Sequence, residues 1–338
     1  MRELTVSIPT FNRSANIKLL LNSIKKKDCN HLHVAVSDNC STDETIDVVN
    51  KSGISNLTLN INKDNFGVSY NVIRSIEIAK TKYVLLMSDE DSICHQGIEC
   101  FLSMPDYDFG VALGTYLPEN GVSSKIYDDE VLSEPNIAFT KHGYTHRYIS
   151  GIIFNRDAID FNLAYNQLDR PNQGFLGLYP HMFLMSELLL SKGAVTFSDP
   201  IVQKGKRTSA KTSIEKLSGI SQKSPEHRLL EFETNLVHLC SKNLANEFFD
   251  ALFLRLSRML FHGVLEDQKK LRVDGLSNYY DVDFLFDDIE STLNTVFHES
   301  KSIVAKHLGK IDSSLNDVMR CSLNEAKRKY RFLLESSS

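Results

Sequence analysis

The sequence predicts an α/β fold, a mostly parallel sheet flanked by helices, followed by a separate helical region. Three observations carry this. Strand and helix patterns alternate up to about residue 115. One of the strands, YVLLM at 83–87, is apolar on both faces, as a strand buried between two helical layers must be. Beyond Pro225 strand patterns vanish and helical periodicity takes over.

Each element follows in order. LTVSI (4–8) is a β-branched run closed by Pro9, and Ile17, Leu20, Leu21 and Ile24 then fall at helical spacing. HVAVS (33–37) is a second strand. STDETIDVVNKSG (41–53) reads as a helix with a capping box, Ser41 with Glu44 three residues on, and Gly53 as a stop. LTLNI (57–61) is a third strand, and Gly67 precedes a helix with Val68, Val72, Ile73 and Ile76 on one face. After the YVLLM strand, residues 116–145 turn polar and irregular, which predicts an excursion or lid rather than core. YISGIIF (148–154) reads as a strand and HMFLMSELLLSKG (181–193) as a helix ended by Gly193. The segment QKGKRTSAKTS (203–213) is basic and has no apolar anchor. RLLEFETNLVHLC, NEFFDALFLRLSRMLF and NEAKRKYRFLLE are helical, so two domains are expected, 1–213 and 214–338.

Composition narrows the function classes. Among 338 residues, 42% are hydrophobic and 24% charged, which suits a globular protein with a substantial core. A net charge of -5 argues against a nucleic-acid binder. The start MRELTVSIPTF has no signal-peptide pattern, and no window is apolar enough to span a membrane. The six cysteines form no CxxC pair, so they read as reduced residues rather than a disulfide or zinc framework. The expected location is cytoplasmic, with peripheral association at the inner face of the membrane left open.

Parallel α/β sheets bind ligands beyond the carboxyl ends of their strands. Here those ends are the loop after Ile8, the SDN after Val36 and the SDED after Met87. The last gathers Asp89, Glu90 and Asp91, three mutually repelling carboxylates, at one strand end. Alternation along an extended chain sets Asp89 and Asp91 on one side and Glu90 on the other.

SIPTFNR (7–13), SDNCSTDET (37–45) and DNFGVSYNVIRSIEIAKTKYVLLMSDED (64–91), in this order and spacing, resemble the family 2 inverting glycosyltransferases of GT-A fold. The resemblance is strong over about 3–115, weak over 148–213, and absent from the C-terminal helices. It implies a GT-A, Rossmann-like nucleotide-diphospho-sugar transferase domain. It also implies a nucleotide-sugar donor, a UDP-sugar favoured, and a glycan or lipid-linked acceptor in surface polysaccharide biosynthesis. Pro9, Thr10 and Arg13 would line base and ribose, and Asp38 would accept a hydrogen bond from the base. Asn71 and Arg74 lie one helical turn apart, and the helix would aim one of them at the nucleotide. Asp89–Glu90–Asp91 corresponds to the DXD motif, with Asp91 chiefly on Mn²⁺ or Mg²⁺ and Asp89 nearer the ribose or sharing the metal. Such ions take one or two carboxylates plus phosphates. Lys206 and Arg207 would sit beside the diphosphate.

The family supplies its base from an acidic pair about eleven residues before a glycine. Counting back from Gly193, this chain reads YPHM, so His181 is the nearest titratable group, with Asp169 in the preceding loop as a second candidate. His142, His146 and Arg147 precede the acceptor-side strand, where a surface or acceptor contact is expected. Arg255, Arg258 and His262 share a helix face suited to a partner or membrane surface, and a homodimer is compatible with such an appendage. Two rival readings stand beside the transferase. A sugar nucleotidyltransferase lacks support, since no glycine-rich, lysine-bearing loop follows the first strand. A catalytically silent GT-A binding module is favoured by the missing acidic base and opposed by the intact DED.

Overall fold

A computed structural model describes residues 2–25, 32–118, 127–132, 134–168, 179–205, 225–275, 282–309 and 313–335. The chain divides into two compact units, Met1–Ala210 and Lys211–Ser338.

In the first unit, β1 (Leu4–Thr10), α1 (Ser14–Lys25), β2 (Leu32–Asp38), α2 (Thr45–Asn50), β3 (Leu57–Ile61), α3 (Val68–Glu77) and β4 (Tyr83–Leu86) alternate as predicted. The same four apolar residues predicted for α1, Ile17, Leu20, Leu21 and Ile24, are the ones it buries. All four residues of β4 are buried, so its apolarity on both faces reflects helices on both sides. Strands β3, β2, β1 and β4 are adjacent in that order and mutually parallel.

The remainder of the sheet is mixed, which alternation alone did not reveal. After β5 (Ser92–Ile93), α4 (His95–Ser103), β6 (Val111–Leu117), β7 (Glu130–Leu132) and α5 (Pro135–His142) come β8 (Ile152–Asn155) and a 3₁₀ turn at Arg156–Ala158. Then follow α6 (Phe161–Leu168), α7 (Pro180–Lys192) and β9 (Ala194–Gln203). Strand β8 inserts antiparallel between β4 and β6. The order continues β8-β6-β9-β5, with β7 also on β9. An apolar run such as Ile152-Ile153-Phe154 encodes burial but not direction.

Two expectations need correction. The segment 116–145 is not merely an excursion. Its described parts include a strand and a helix, and Ala138, Phe139 and Tyr144 are fully buried. The strand expected at 148–154 begins only at Ile152, after a bend at Gly151.

The second unit consists, in its described residues, of α8 (Pro225–Cys240), α9 (Asn246–Gly275), α10 (Val282–Leu308) and α11 (Ser313–Glu335). Leu229, Phe232, Leu236, Phe253, Leu256, Phe261, Leu293 and Met319 are buried in it. Arg258 donates to Glu325 Oε2 at 3.0 Å and His262 lies 4.0 Å from Glu325 Oε1. These two residues therefore join α9 to α11. No helix among the described residues is long and apolar enough to cross a membrane.

Candidate functional site

The strand order reverses direction at the boundary between β1 and β4, since β2 and β3 lie to one side and β8 to the other. In open α/β sheets this switch point opens a crevice beyond the carboxyl ends of the strands. The loops after β1, β2 and β4 all end there, and backbone pairing fixes their register. Thr10 stands beside Asp38, and Met87 N–H donates to Ser7 O at 2.9 Å.

The three acids after β4 have separate partners. Asp89 Oδ2 accepts the Thr10 hydroxyl at 2.8 Å. Glu90 Oε1 pairs with Arg13 Nη1 at 2.8 Å. Asp91 accepts three donors, Tyr148 Oη (2.5 Å) and Gly205 N–H (3.0 Å) on Oδ1 and Ser150 Oγ (2.5 Å) on Oδ2. Asp89 and Asp91 are buried, and burial pushes the Asp89 carboxyl up to about 6, with Glu90 and Asp91 adding in the same direction against Thr10 and Arg13. The turn thus holds concentrated negative charge in a low-dielectric place, an arrangement that a cation would stabilise.

Asp38 does two jobs at once. Its Oδ2 accepts the Ser41 N–H at 2.8 Å, forming the turn that starts the next loop. Its Oδ1 is buried and has no hydrogen-bond partner among the described residues. A buried carboxylate oxygen without a donor is costly, so the position is suited to accept an N–H from a ligand. The expected capping box does not form, because Ser41 is engaged with Asp38 and Asn12, and Thr45 N–H is bonded instead by Asp43 Oδ1 at 3.0 Å.

An asparagine network fixes these loops to one another. Asn39 Nδ2 donates to Asn65 Oδ1 (2.6 Å) and Gly67 O (3.2 Å), while its Oδ1 accepts from Asn62 Nδ2 (3.0 Å) and Phe66 N–H (3.2 Å). Asn62 Nδ2 also donates to Asn71 Oδ1 (3.1 Å), and Asn71 Nδ2 to Thr10 O (3.1 Å). Gly67, at φ +87°, supplies the backbone that only glycine adopts readily at this entry to α3.

The sequence-predicted residues therefore divide. Thr10, Arg13, Asp38, Asp89 and Asp91 converge at the strand ends, and Pro9 lies beside Ser37 in the same register. Asn71 spends both ends of its amide on Asn62 and Thr10, so it braces the site. Arg74 is committed to Glu77 Oε2 at 2.7 Å and Asn60 Oδ1 at 3.3 Å, tying α3 to β3 rather than presenting a cation to a nucleotide. Asp169, Lys206 and Arg207 lie outside the described residues.

His181 stands on the first turn of α7 and is buried. Its Nε2–H donates to His146 O at 3.0 Å, which leaves Nδ1 as the basic nitrogen, buried and without a partner among the described residues. Burial lowers its pKa to about 4, against the smaller opposing effect of backbone carbonyls. A base this weak and enclosed is poorly matched to the proton-accepting role expected of it. His146 is likewise interior, bonded at Nε2 to the Tyr127 hydroxyl and at Nδ1 to Thr145 Oγ1 (2.9 Å).

Residues that sequence reasoning missed are Tyr148, Ser150, Gly205, Asn39 and Asn62.

Comparison with known proteins bears on the family and the fold. The family model for glycosyl transferase family 2 matches residues 5–160. Abequosyltransferase RfbV of Salmonella typhimurium is 27% identical over 222 residues, 58% of this chain and 64% of that protein. The GalNAc(5)-diNAcBac-PP-undecaprenol beta-1,3-glucosyltransferase of Campylobacter jejuni is 24% identical over 168 residues, 46% of this chain and 51% of that protein. The matches thus span less than two-thirds of the length of these curated relatives. Among solved structures, S. aureus TarS 1-349 in complex with UDP-GlcNAc superposes with a TM-score of 0.55 at 18% identity, covering 97% of this chain and 91% of that one. Residues 5–160 therefore match the glycosyl transferase family 2 model, in a fold shared with the TarS glycosyltransferase structure and followed in the chain by a helical region.

Proposed function

We propose that the protein transfers one sugar from a nucleotide-sugar donor, with inversion, to a hydroxyl of a glycan or lipid-linked acceptor during surface polysaccharide assembly. The observation that carries this reading is the meeting of Asp38, Thr10 and the Asp89–Asp91 turn at the switch point of the sheet. A nucleoside needs an acceptor for its base N–H, which Asp38 Oδ1 offers, and a diphosphate needs countercharge at the neighbouring strand end. The relatives' names point the same way, one an abequosyltransferase and one a glucosyltransferase of a PP-undecaprenol-linked acceptor. A UDP-sugar is the favoured donor, since the TarS structure holds UDP-GlcNAc.

Mn²⁺ or Mg²⁺ fits the residues present. Among the described residues no group of three or more His, Cys, Asp or Glu is arranged to hold a metal alone. Two carboxylates, Asp91 and Asp89, match an ion that also takes oxygens from the donor's phosphates. When bound, the ion would act as a Lewis acid on the departing diphosphate. The protein's own part is to hold the nucleoside through Asp38 and Thr10. Through the Arg13–Glu90 pair it keeps the middle carboxylate turned aside from its neighbours. Lys206 and Arg207 would add positive charge beside the diphosphate. Asp169 is left as the candidate to take the acceptor's proton. The expected setting is the cytoplasm or the inner face of the membrane.

The test is slow hydrolysis of nucleotide sugars by the full chain. UDP release that disappears with EDTA and with Asp91→Ala supports the reading, and product anomeric configuration by NMR decides inversion. A second reading, a silent binding module, draws on the poor basicity of His181. It prevails if UDP-sugars bind but neither hydrolysis nor transfer is seen with any acceptor.

A further inference from the structure

The Asp91 carboxylate accepts three hydrogen bonds, and the donors come from distant parts of the chain. We propose that Tyr148 and Ser150 are positioning residues that set the Asp91 carboxylate in one orientation for a divalent cation. The inference rests on the reading of Asp91 as a cation ligand. A carboxylate offers about four lone-pair directions. Oδ1 takes two donors, Tyr148 Oη and Gly205 N–H, and Oδ2 takes one, Ser150 Oγ. Among the described residues one acceptor direction is left, on Oδ2, so the carboxylate is prepared for a single outside partner.

Both hydroxyls are themselves constrained. Ser150 Oγ accepts the Ser88 N–H at 2.8 Å, which directs its own hydrogen toward Asp91. The Tyr148 ring packs against Tyr116, with centroids 5.8 Å apart, and Lys204 Nζ lies 4.4 Å from its centroid. The Gly205 N–H reaches Asp91 because the residue has no side chain. A Cβ there would come within 1.7 Å of Glu90 O. Ring, hydroxyl and backbone therefore restrict the rotation of one carboxylate, the service that outer partners perform for metal ligands generally.

The experiment is Mn²⁺ binding by the full chain, read by EPR as free ion, with and without UDP. Tyr148→Phe keeps the ring and removes only the hydroxyl, and it should weaken Mn²⁺ binding about 10-fold. Ser150→Ala should act in the same direction. Because the defect is in ion capture, turnover at saturating Mn²⁺ should recover most of its wild-type value, whereas the Mn²⁺ concentration for half-maximal hydrolysis should rise. Wild-type Mn²⁺ affinity in Tyr148→Phe, while Asp91→Ala loses the ion, overturns the positioning role and leaves the metal reading intact. Retention of Mn²⁺ by Asp91→Ala overturns the metal reading and this inference with it. Should Ser150→Ala not fold, Tyr148→Phe alone decides the matter.

Discussion

The Thr10 hydroxyl donates to Asp89 Oδ2 at 2.8 Å, joining the ends of two parallel strands whose residues lie 79 apart in sequence. Both side chains are buried, so the bond forms away from water, and one partner can carry charge. Bonds to charged groups contribute about 1.5–3 kcal/mol, more than neutral ones, and leaving the acceptor unsatisfied adds desolvation cost. Thr10→Val, nearly isosteric, should destabilise the chain by about 1–3 kcal/mol in urea unfolding followed by circular dichroism. Thr10→Ser should retain most of the wild-type value. Wild-type stability in Thr10→Val together with a loss in Thr10→Ser would mean that the methyl, not the hydroxyl, matters.

Asp38 should show effects of opposite sign on stability and binding. Its Oδ1 lacks a donor in the described structure, so replacing the charge with a neutral amide removes a buried, half-satisfied carboxylate. Asp38→Asn should leave stability unchanged or raised, while an amide N–H in place of the acceptor oxygen opposes a ligand N–H. The expected loss in affinity for UDP is 10-fold or more, about 1–3 kcal/mol. Calorimetric titration of both proteins checks it, and unaltered UDP affinity would remove Asp38 from the nucleoside site.

The parallel half of the sheet was legible in the sequence because burial on two faces forces near-continuous apolar strands with short connections. The site was legible at Thr10, Asp38 and the DED for a related reason, since each stands at a strand's carboxyl end. Strand β9 was missed because AVTFSDPIVQ carries Asp199 and Pro200 in its middle, and its pairing with β6 shifts register there. The donors to Asp91 were missed because they meet only through tertiary contacts, 57, 59 and 114 residues away. Arg74 misled for another reason. A helical position facing the right strand end says nothing about a nearby Glu77 that claims the guanidinium first.

His181 makes stability depend on pH in a defined window. Its folded pKa, about 4, lies below the ordinary 6.5 because burial opposes the charged form. As pH falls through 6.5 the unfolded chain takes a proton that the folded chain refuses until near 4. The stability from keeping His181 neutral is therefore complete above 6.5 and is lost as pH falls toward 4. Between pH 7 and 5 the loss assigned to this residue is about 2 kcal/mol. His181→Gln should remove that part of the pH dependence, so its stability deficit against wild type narrows at pH 5. A deficit equal at both pH values would show that the imidazole is not what titrates.

The same burial gives a kinetic expectation for the base. With its basic nitrogen enclosed, His181→Gln should keep transfer or hydrolysis within about 10-fold of wild type, whereas loss of a general base costs about 10²–10⁴-fold. Asp169→Asn should fall in the second range, with Km for the donor little altered. Rates are compared at pH 7 and saturating Mn²⁺. A collapse of kcat in His181→Gln with donor affinity retained would restore the histidine as proton acceptor.

In the helical unit, Arg228 is held between two buried acids, Nε donating to Asp267 Oδ2 at 2.5 Å and Nη1 to Glu231 Oε2 at 3.0 Å. Side-chain exposure is 11% for the arginine and 6% and 3% for the acids, so little water offsets the removal of a partner. The bond to Asp267 joins α8 to α9, and Gly263, one turn before Asp267, leaves room for the guanidinium. A Cβ at that glycine would lie 3.1 Å from Arg228 Nε. Asp267→Ala should therefore cost about 3–5 kcal/mol in urea unfolding, since it leaves a buried cation with one partner fewer. Replacing the group together, as Arg228→Met with Asp267→Leu and Glu231→Gln, should be neutral or stabilising, because no charge is left without its counterion. If the triple variant is as unstable as Asp267→Ala, the ion group stabilises the α8–α9 contact beyond what packing supplies, and its desolvation cost is smaller than its attraction.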